Sequence, residues 1–370
     1  MRILIFSWRG PGHPHFGGAE IATHEHAKGW VNAGHEVTLF TSYFSGGKVR
    51  EIVDGVEIIR RGSEVFGVQV AAFLWYILEK HENYDVVVDQ FHGIPFFTPI
   101  FVRGKKIAYI HEVAKEVWKL NPWPRPFNTI PFVVGTMLEP FIFKLLYKST
   151  LFMTVSQSTK NDLEKWGIPK KNIVVIYNGF TKIEKKFKRE KATTVIYLGA
   201  LSKDKGIEEA IEVFSLINKL KDNCKFWVVG KGETQYLRFL KLRAKELSLD
   251  RIIKFWGFVS EEKKFELLGR ADIMLNPSVR EGWGLVNIEA NSMGVPVVGY
   301  NVSGVKDSVI NNKTGLLCSQ GDVEKLAKNC IELMSNRNKY NKFQKNAIMW
   351  SKKFDWKSAQ NKSLNLLKSL

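Results

Sequence analysis

Cysteine is scarce in this chain, and its scarcity excludes two classes of small domain. The three cysteines, Cys224, Cys318 and Cys330, are an odd number without CxxC spacing. Neither a disulfide framework nor a zinc site is therefore indicated. A reducing compartment such as the cytoplasm is the simplest location.

Long hydrophobic runs are absent as well. The longest uncharged runs, 65–78, 90–102 and 126–138, fall short of the roughly 20 residues that a spanning helix needs. The opening MRILIFSWRG has only a short apolar run and no small-residue cleavage site, which is typical of a buried strand rather than a signal peptide. The sequence predicts no transmembrane segment.

Negative charge is also in short supply. The chain has 55 Lys and Arg against 37 Asp and Glu, a net charge of +18. Such a balance favours an anionic partner: nucleic acid, a membrane surface or a phosphate-bearing substrate. No recognised nucleic-acid motif occurs and the lysines are spread along the chain, so the last two fit better. A basic nucleic-acid-binding protein remains the non-enzyme alternative.

Two further motifs are missing. No GxGxxG occurs, which argues against a dinucleotide-dependent oxidoreductase. No Asp-x-Asp occurs either, so a design in which acidic side chains clamp a metal on a diphosphate lacks its ligands. We expect neither a cofactor nor a metal requirement.

What the sequence does contain is a regular alternation of apolar strands and amphipathic helices. At 370 residues the chain fits two domains. Continuous apolar strands separated by helices indicate parallel sheets covered on both faces. We predict two tandem doubly wound Rossmann-like α/β domains, 1–180 and 193–349, joined by the polar linker 181–192. In this architecture ligands bind beyond the carboxyl ends of the strands, here in a central cleft.

In the first half, two strand-end segments stand out. The loop SWRGPGHPHFGGAE places Gly17 and Gly18 at a strand-to-helix turn, where backbone N–H groups can meet an anion. The segment IAYIHE places His111 directly after a strand. A plain tight turn and a structural histidine are the alternatives.

In the second half, glycines again follow strands. LSKDKG sets Lys205 at the mouth of an amphipathic helix, which suits a diphosphate, and VVGKGE repeats the pattern at Gly230. REGWGLVNIEA follows the strand signal ADIMLNPS and puts Glu281 in a loop and Glu289 about one turn inside a helix that begins near Leu285. Carboxylates accept paired hydroxyl donors well, so sugars are natural partners.

Together these segments resemble glycosyltransferase family 4, which has the GT-B fold. The resemblance rests on GGAE, YIHE, TVSQST, VIYNG, LGALSKDKG, VGKGE, WGFVS and REGWGLVNIEANSMGVPVV with GVKDSVINNKTGLL, in the family's order. It covers essentially the whole chain, and the stretch 272–317 is its most specific part. The resemblance implies a retaining glycosyltransferase of the hexosyltransferase type, using a nucleotide diphosphate sugar and a hydroxyl acceptor. A GT-B sugar-nucleotide epimerase is the alternative enzyme.

By this resemblance, Lys205 stabilises the departing diphosphate and Glu281 contacts hydroxyls of the donor sugar. Glu289 would hold the ribose hydroxyls. The backbone around the loop would bind the phosphates and sugar through Gly282, Trp283, Gly284 and Leu285.

The family pattern also places Gly18 near the diphosphate and His111 near the reacting sugar, while the base would lie against Phe258 and Val259. A helix at about 350–370 would pack back on the N-terminal domain. One departure stands out, because Ala200 occupies the position where the family usually has an arginine, five residues before Lys205.

The acceptor is suggested by the aromatic stretch 118–148, which carries interspersed basic residues. Either a buried helix pair or a patch that meets anionic lipid would have this composition. With the net charge it favours a peripheral enzyme at the inner face of the cell membrane, acting on a lipid-linked or membrane-proximal glycan. Donor base, sugar and oligomeric state stay open.

Overall fold

The computed structural model describes residues 1–64, 66–91, 93–120, 129–185 and 187–370. They form two compact units, Met1–Gly179 with Asp355–Leu370, and Phe180–Phe354. The segment 181–192, predicted as a linker, therefore belongs to the second unit. There the Arg189 guanidinium donates to the carbonyl oxygens of Met293 and Gly294 at 3.2 and 2.9 Å, which ties the segment to the unit's surface.

The first unit is built on an eight-stranded sheet of order β3-β4-β2-β1-β5-β6-β7-β8, parallel except for the β3–β4 pair. Its strands are β1 (Arg2–Ser7), β2 (Glu36–Thr41), β3 (Arg50–Val53), β4 (Val56–Arg60), β5 (Val86–Phe91), β6 (Lys105–Ile110), β7 (Leu151–Thr154) and β8 (Ile173–Val175). Its helices are α1 (Gly18–Asn32), α2 (Gly67–Leu78), α3 (Thr98–Phe101), α4 (Thr129–Leu146) and α5 (Gln157–Lys165), joined by the chain's last helix.

The second unit is built on a six-stranded, wholly parallel sheet of order β11-β10-β9-β12-β13-β14. Its strands are β9 (Thr193–Leu198), β10 (Cys224–Val229), β11 (Ile253–Gly257), β12 (Ile273–Asn276), β13 (Val297–Tyr300) and β14 (Gly315–Cys318). Its helices are α6 (Ile207–Leu220), α7 (Thr234–Glu246), α8 (Glu261–Arg270), α9 (Leu285–Ser292), α10 (Val305–Ser308), α11 (Val323–Ser335) and α12 (Arg337–Ser351). The predicted α/β class with two parallel sheets is confirmed.

The last helix, α13 (Trp356–Lys368), lies on α1 within the first unit. The Gln360 amide donates to the Glu25 carbonyl at 2.8 Å, and the Trp30 indole N–H donates to the Ser363 hydroxyl at 3.0 Å. Gly29 permits this approach, because a Cβ there would lie 2.4 Å from Gln360 Cγ. The chain therefore returns to its first unit after completing the second.

Across the described residues, every helix is too short or too polar to cross a bilayer.

Candidate functional site

The loops after β9, β12 and β13 meet at one edge of the second sheet. The Val279 N–H donates to the Asp204 carbonyl at 2.8 Å, and the Glu281 N–H donates to the Ser303 carbonyl at 3.0 Å. Gly206 has φ +70°, and a Cβ there would lie 2.1 Å from the Pro277 carbonyl oxygen. A glycine is therefore required where the loop before α6 crosses the loop after β12.

Lys205 and Glu281 form the centre of this edge. Lys205 Nζ lies 3.1 Å from Glu281 Oε2 and 3.7 Å from Asp204 Oδ2, and all three side chains are partly exposed. The two residues are 76 positions apart in the chain, and parallel strand order alone brings their loops together. An ammonium beside a carboxylate can bind an anion and, at an adjacent point, accept hydrogen bonds from sugar hydroxyls through the carboxylate.

A buried polar network stands behind Glu281. The Ser278 hydroxyl lies 2.9 Å from Glu281 Oε1 and 2.7 Å from Asn276 Oδ1. The Asn276 amide donates to Asn287 Oδ1 at 2.8 Å, and the Asn287 amide donates to the Ser308 hydroxyl at 2.9 Å. Sequence reasoning missed these residues, although polar side chains at a strand end and on the inner face of a short helix were the available signal. The network holds the Glu281 carboxylate in one orientation.

The Gly-Trp-Gly turn leads directly into α9, which begins at Leu285 as predicted. Gly284 precedes it with φ +73°. The Trp283 ring is buried against Phe354, with ring centroids 5.0 Å apart, so it packs inside the second unit. The amide groups of the turn and of the first turn of α9 are what this loop can offer a ligand.

Glu289 lies on α9 and is held by a residue that sequence reasoning missed. Lys264 Nζ donates to Glu289 Oε1 at 2.7 Å and lies 2.8 Å from Glu261 Oε1. Burial raises the pKa of the Glu289 carboxyl, and the Lys264 ammonium opposes that rise. Burial lowers the pKa of Lys264, but the two carboxylates outweigh it and leave the pKa above its ordinary value. The available sequence signal was that Lys264 lies four residues before the apolar Leu268, so both side chains share one face of α8. In the structure Leu268 is fully buried, which places Lys264 on the inner side of the helix.

Because the resemblance assigns Glu289 to the ribose hydroxyls of a nucleotide, we expect that removing Lys264 makes nucleotide binding more sensitive to acid. In Lys264→Met the opposing charge is gone, so the pKa of Glu289 rises further, and the carboxylate is lost at a higher pH during acidification. Nucleoside diphosphate affinity should therefore begin to fall at a higher pH than in the wild type during acidification, as measured by calorimetry.

Lys263→Met is the matched control, because Lys263 pairs with Glu266 rather than Glu289. It should leave the pH profile unchanged. Identical profiles for Lys264→Met and the wild type would contradict the coupling.

Gly230 directly follows β10 and lies very close to the backbone of a neighbouring loop. It has φ +144°, and a Cβ there would lie 1.7 Å from the Gly199 carbonyl oxygen. Beside it, the Phe258 ring is 78% exposed, with Lys231 Nζ 5.6 Å from the ring centroid, and Val259 is partly exposed. An exposed ring at a strand end offers a stacking face to a planar base.

Gly230→Ala should destabilise the protein by roughly 2–5 kcal/mol, because it adds a steric overlap to an unfavourable backbone conformation. Gly257→Ala separates the two effects, since Gly257 has φ +69° and no atom within 4 Å of a built Cβ. That control should cost only about 1–2 kcal/mol. Urea unfolding measures both, and equal losses would contradict the steric argument.

Gly17 and Gly18 lie at the start of α1 in the first unit. Gly17 is the N-cap of α1 and its N–H donates to Glu20 Oε2 at 2.9 Å, and Gly18 is the first helical residue. Glu20 is buried, and Arg9 Nη1 lies 3.8 Å from its other carboxylate oxygen. The Gly17 amide is therefore engaged within its own helix cap.

Next to this cap lie His13, His15 and Glu64, whose donor atoms fall within 4.8 Å of one another. The backbone N–H of His15 donates to His13 Nδ1 at 3.1 Å. A neutral His13 therefore carries its proton on Nε2. Arg9 Nε also donates to Glu64 Oε1 at 2.6 Å. The carboxylate and one imidazole are engaged in these contacts. The cluster is therefore better described as an ion-pair network that stabilises the loop than as a metal site.

His111 directly follows β6, as predicted. It is buried, its ring lies against Tyr109 with centroids 4.4 Å apart, and its carbonyl accepts from the Thr159 hydroxyl at 3.0 Å. Ala200, the departure from the family pattern, is exposed, and its carbonyl accepts from the Tyr197 hydroxyl at 2.7 Å. The roles predicted for these residues stay predictions.

Solved structures share this architecture. Sucrose-phosphate synthase of Thermosynechococcus elongatus matches with TM-score 0.81 at 19% identity, covering 100% of this chain and 98% of that chain. Anabaena Alr3699/HepE in complex with UDP and glucose matches with TM-score 0.76 at 19% identity, covering 100% of both chains. The two parallel α/β units are thus those of the GT-B glycosyltransferase fold, and the predicted architecture is confirmed.

Family comparisons cover both units. The family described as Glycosyltransferase Family 4 matches residues 16–181, and Glycosyl transferases group 1 matches residues 178–350. Glycogen synthase of Mycobacterium tuberculosis is 24% identical over 88% of this chain and 84% of its own length. The chain belongs to glycosyltransferase family 4 and is a nucleotide-sugar glycosyltransferase of the GT-B type.

Proposed function

We propose that this enzyme transfers a hexose from a nucleotide diphosphate sugar to a hydroxyl acceptor with retention of anomeric configuration and without a metal. The observation that carries the proposal is the Lys205–Glu281 pair, 3.1 Å apart at the carboxyl edge of the second sheet. Glu289 follows on the helix that the same loop enters. One cation and two carboxylates in this order fit a diphosphate, a sugar and a ribose.

The chemistry assigned to these groups follows from their charges. As the bond between the anomeric carbon and the diphosphate breaks, positive charge grows on the sugar and negative charge on the leaving phosphate. Lys205 would turn from Glu281 toward that phosphate, and the amides around Trp283 and Gly284 would stabilise the same charge. Glu281 would then be available to accept hydroxyls of the sugar.

Metal independence is proposed because a lysine and backbone amides can supply the charge stabilisation that a divalent cation would otherwise give. Ala200 leaves the site without the usual arginine, so Lys205 carries a larger share of that task. Lys203 lies two residues before Lys205 on the same turn, but its side chain is exposed to solvent, where a charge acts weakly.

For the acceptor, we propose a lipid-linked or membrane-proximal glycan reached from the inner face of the cell membrane. The net charge of +18 supports attraction to an anionic surface. Within the stretch 118–148, we propose that Trp123 and Phe127 enter the headgroup layer, and both lie outside the described residues.

A donor screen followed by product analysis tests the proposed function. UDP, GDP and ADP and their sugars are ranked by thermal shift, beginning with UDP because HepE binds it with glucose. Incubation with the best donor and a lipid-linked glycan should release the nucleoside diphosphate and give a product with retained configuration, unaffected by EDTA.

Other results would contradict the proposal. An epimerised nucleotide sugar without transfer would indicate an epimerase, inversion would exclude the retaining mechanism, and loss of activity in EDTA would exclude metal independence. A protein that ignores every nucleotide sugar but retards DNA in a salt-sensitive manner would be a nucleic-acid-binding protein.

A further inference from the structure

Helix α2 has an outer face of an unusual kind. Its exposed side chains are all large and apolar: Val70, Phe73, Leu74, Ile77 and Leu78. The helix, described in full, has no charged residue between Gly67 and Leu78. Its inner face is also largely apolar, with Val68, Ala72 and Trp75 in the core and Gln69 as its buried polar side chain. A surface helix ordinarily presents polar groups to water, so this face indicates contact with something other than water.

Helix α4 repeats the arrangement. It packs through Phe143 into the core, while its exposed side chains include Val133, Val134, Met137, Leu138, Phe141 and Leu145. Within the described part of α4, the one carboxylate is Glu139, which is buried and accepts from the Ala114 N–H at 2.8 Å. The exposed charge on this helix is Lys144.

Both helices lie on the same face of the sheet. The connections β4–α2–β5 and β6–α4–β7 run in the same direction across the strand order, and right-handed crossovers put such helices on one side. The side chains of β5 support this placement. Val87 packs with α2 and Phe91 packs with α4. Residues four apart on a strand point to the same face of the sheet, so both helices cover that face.

Helix α3 lies between them. The Phe101 ring contacts Phe73 of α2 with centroids 5.3 Å apart. Asp89 accepts from the Thr98 hydroxyl at the start of α3 and from the Tyr147 hydroxyl next to α4, at 2.7 and 2.5 Å. The exposed Ile100 of α3 therefore joins the two apolar faces.

We infer that the exposed faces of α2 and α4 form one lipid-binding surface that seats the first unit on an anionic bilayer. Exposed Arg103, Lys105, Lys144 and Lys148 flank α3 and α4, and the net charge of the chain is +18. Apolar side chains enter the headgroup layer while flanking cations meet lipid phosphates. The inference rests on the proposed function for its membrane-proximal acceptor, and it adds α2 as half of the surface.

Vesicle co-sedimentation tests the surface with charge-matched variants. The test pairs are Met137→Glu with Phe141→Glu on α4, and Leu74→Glu with Leu78→Glu on α2. The control pair is Leu220→Glu with Leu242→Glu in the second unit, whose side chains are 72% and 60% exposed against 70% and 60% for Met137 and Phe141. All three pairs lower the net charge equally.

At low salt, wild type and control should bind vesicles of equal phosphatidylglycerol and phosphatidylcholine, and high salt should release them. Each test pair should bind at least tenfold more weakly, with unchanged thermal unfolding and nucleoside diphosphate affinity. Equal loss in the control, wild-type binding by both test pairs, or a wild type that ignores these vesicles would overturn the inference.

Self-association is a distinguishable outcome. If the wild type ignores vesicles but forms a dimer that the test pairs dissociate in analytical ultracentrifugation, a second copy covers this face and the lipid assignment is wrong. Because nucleotide binding and sugar transfer are measured separately, failure of the proposed function would leave the vesicle result standing, and the reverse also holds.

Discussion

Lys205→Ala should lower turnover by roughly 10²- to 10³-fold, the usual cost of removing one group that stabilises a developing anion. The charge that Lys205 meets grows as the leaving phosphate departs, so donor affinity should change far less than kcat. In the free protein Lys205 Nζ lies 3.1 Å from Glu281 Oε2. When the donor binds, Lys205 would exchange this carboxylate for a phosphate, so the net gain in ground-state affinity should be small. Initial rates across donor concentrations separate the two parameters.

Lys203→Ala is the matched control for this prediction. It removes the same charge from the same short turn, Lys203–Lys205, and is expected to change kcat by less than about twofold because exposed charges act weakly. Lys205→Arg should recover part of the rate by supplying the charge at a different geometry. A Lys205→Ala enzyme with wild-type turnover would contradict the leaving-group role.

Glu289 should determine recognition of the ribose. Two vicinal hydroxyls donating to one carboxylate make charge-assisted hydrogen bonds of about 1.5–3 kcal/mol each, so the wild type should bind a 2′,3′-dideoxy nucleoside diphosphate roughly 10²- to 10⁴-fold more weakly than the parent. Glu289→Ala should bind the parent nucleotide poorly and lose most of this discrimination. Calorimetry with both ligands on both proteins gives the four affinities.

Removing Glu289 alone leaves the Lys264 ammonium buried without its nearest partner, which could weaken binding through misfolding. The double variant Glu289→Ala with Lys264→Met removes both charges and controls for this effect. It should fold like the wild type and still show no preference for the ribose hydroxyls. Equal discrimination in wild type and double variant would contradict the ribose role.

Much of the architecture was determined by local sequence. Continuous apolar strands such as β13, buried at every position, require cover on both faces, and the intervening helices supply it. Glycines at the mouths of helices marked the loops beyond the strands, and the start of α9 at Leu285 followed from the pattern. These predictions held because period, turn chemistry and strand burial are properties of neighbouring residues.

The tertiary structure decided which residues of the site contact one another. Lys205 and Glu281 could each be named from their motifs, but their contact depends on β9 and β12 being neighbours in the sheet. The Lys264–Glu289 pair and the Asn276–Ser278 network behind Glu281 join residues whose types are ordinary for surface positions. Sequence alone does not show that such side chains are buried, and burial is what makes them pair.

Solvent exposure of apolar side chains was decided in the same way. The stretch 118–148 was compatible with a buried helix pair or a lipid-facing patch, and α4 has features of both, with Phe143 inside and Met137 outside. The sequence shows that α2 and α4 are predominantly apolar, with Glu139 and Lys144 as the charged residues of α4. Hydropathy is a property of each residue, whereas exposure depends on which neighbours the fold provides. The packed sheet carries one layer of helices on this face, and among the described residues the outer side chains of both helices are exposed to solvent.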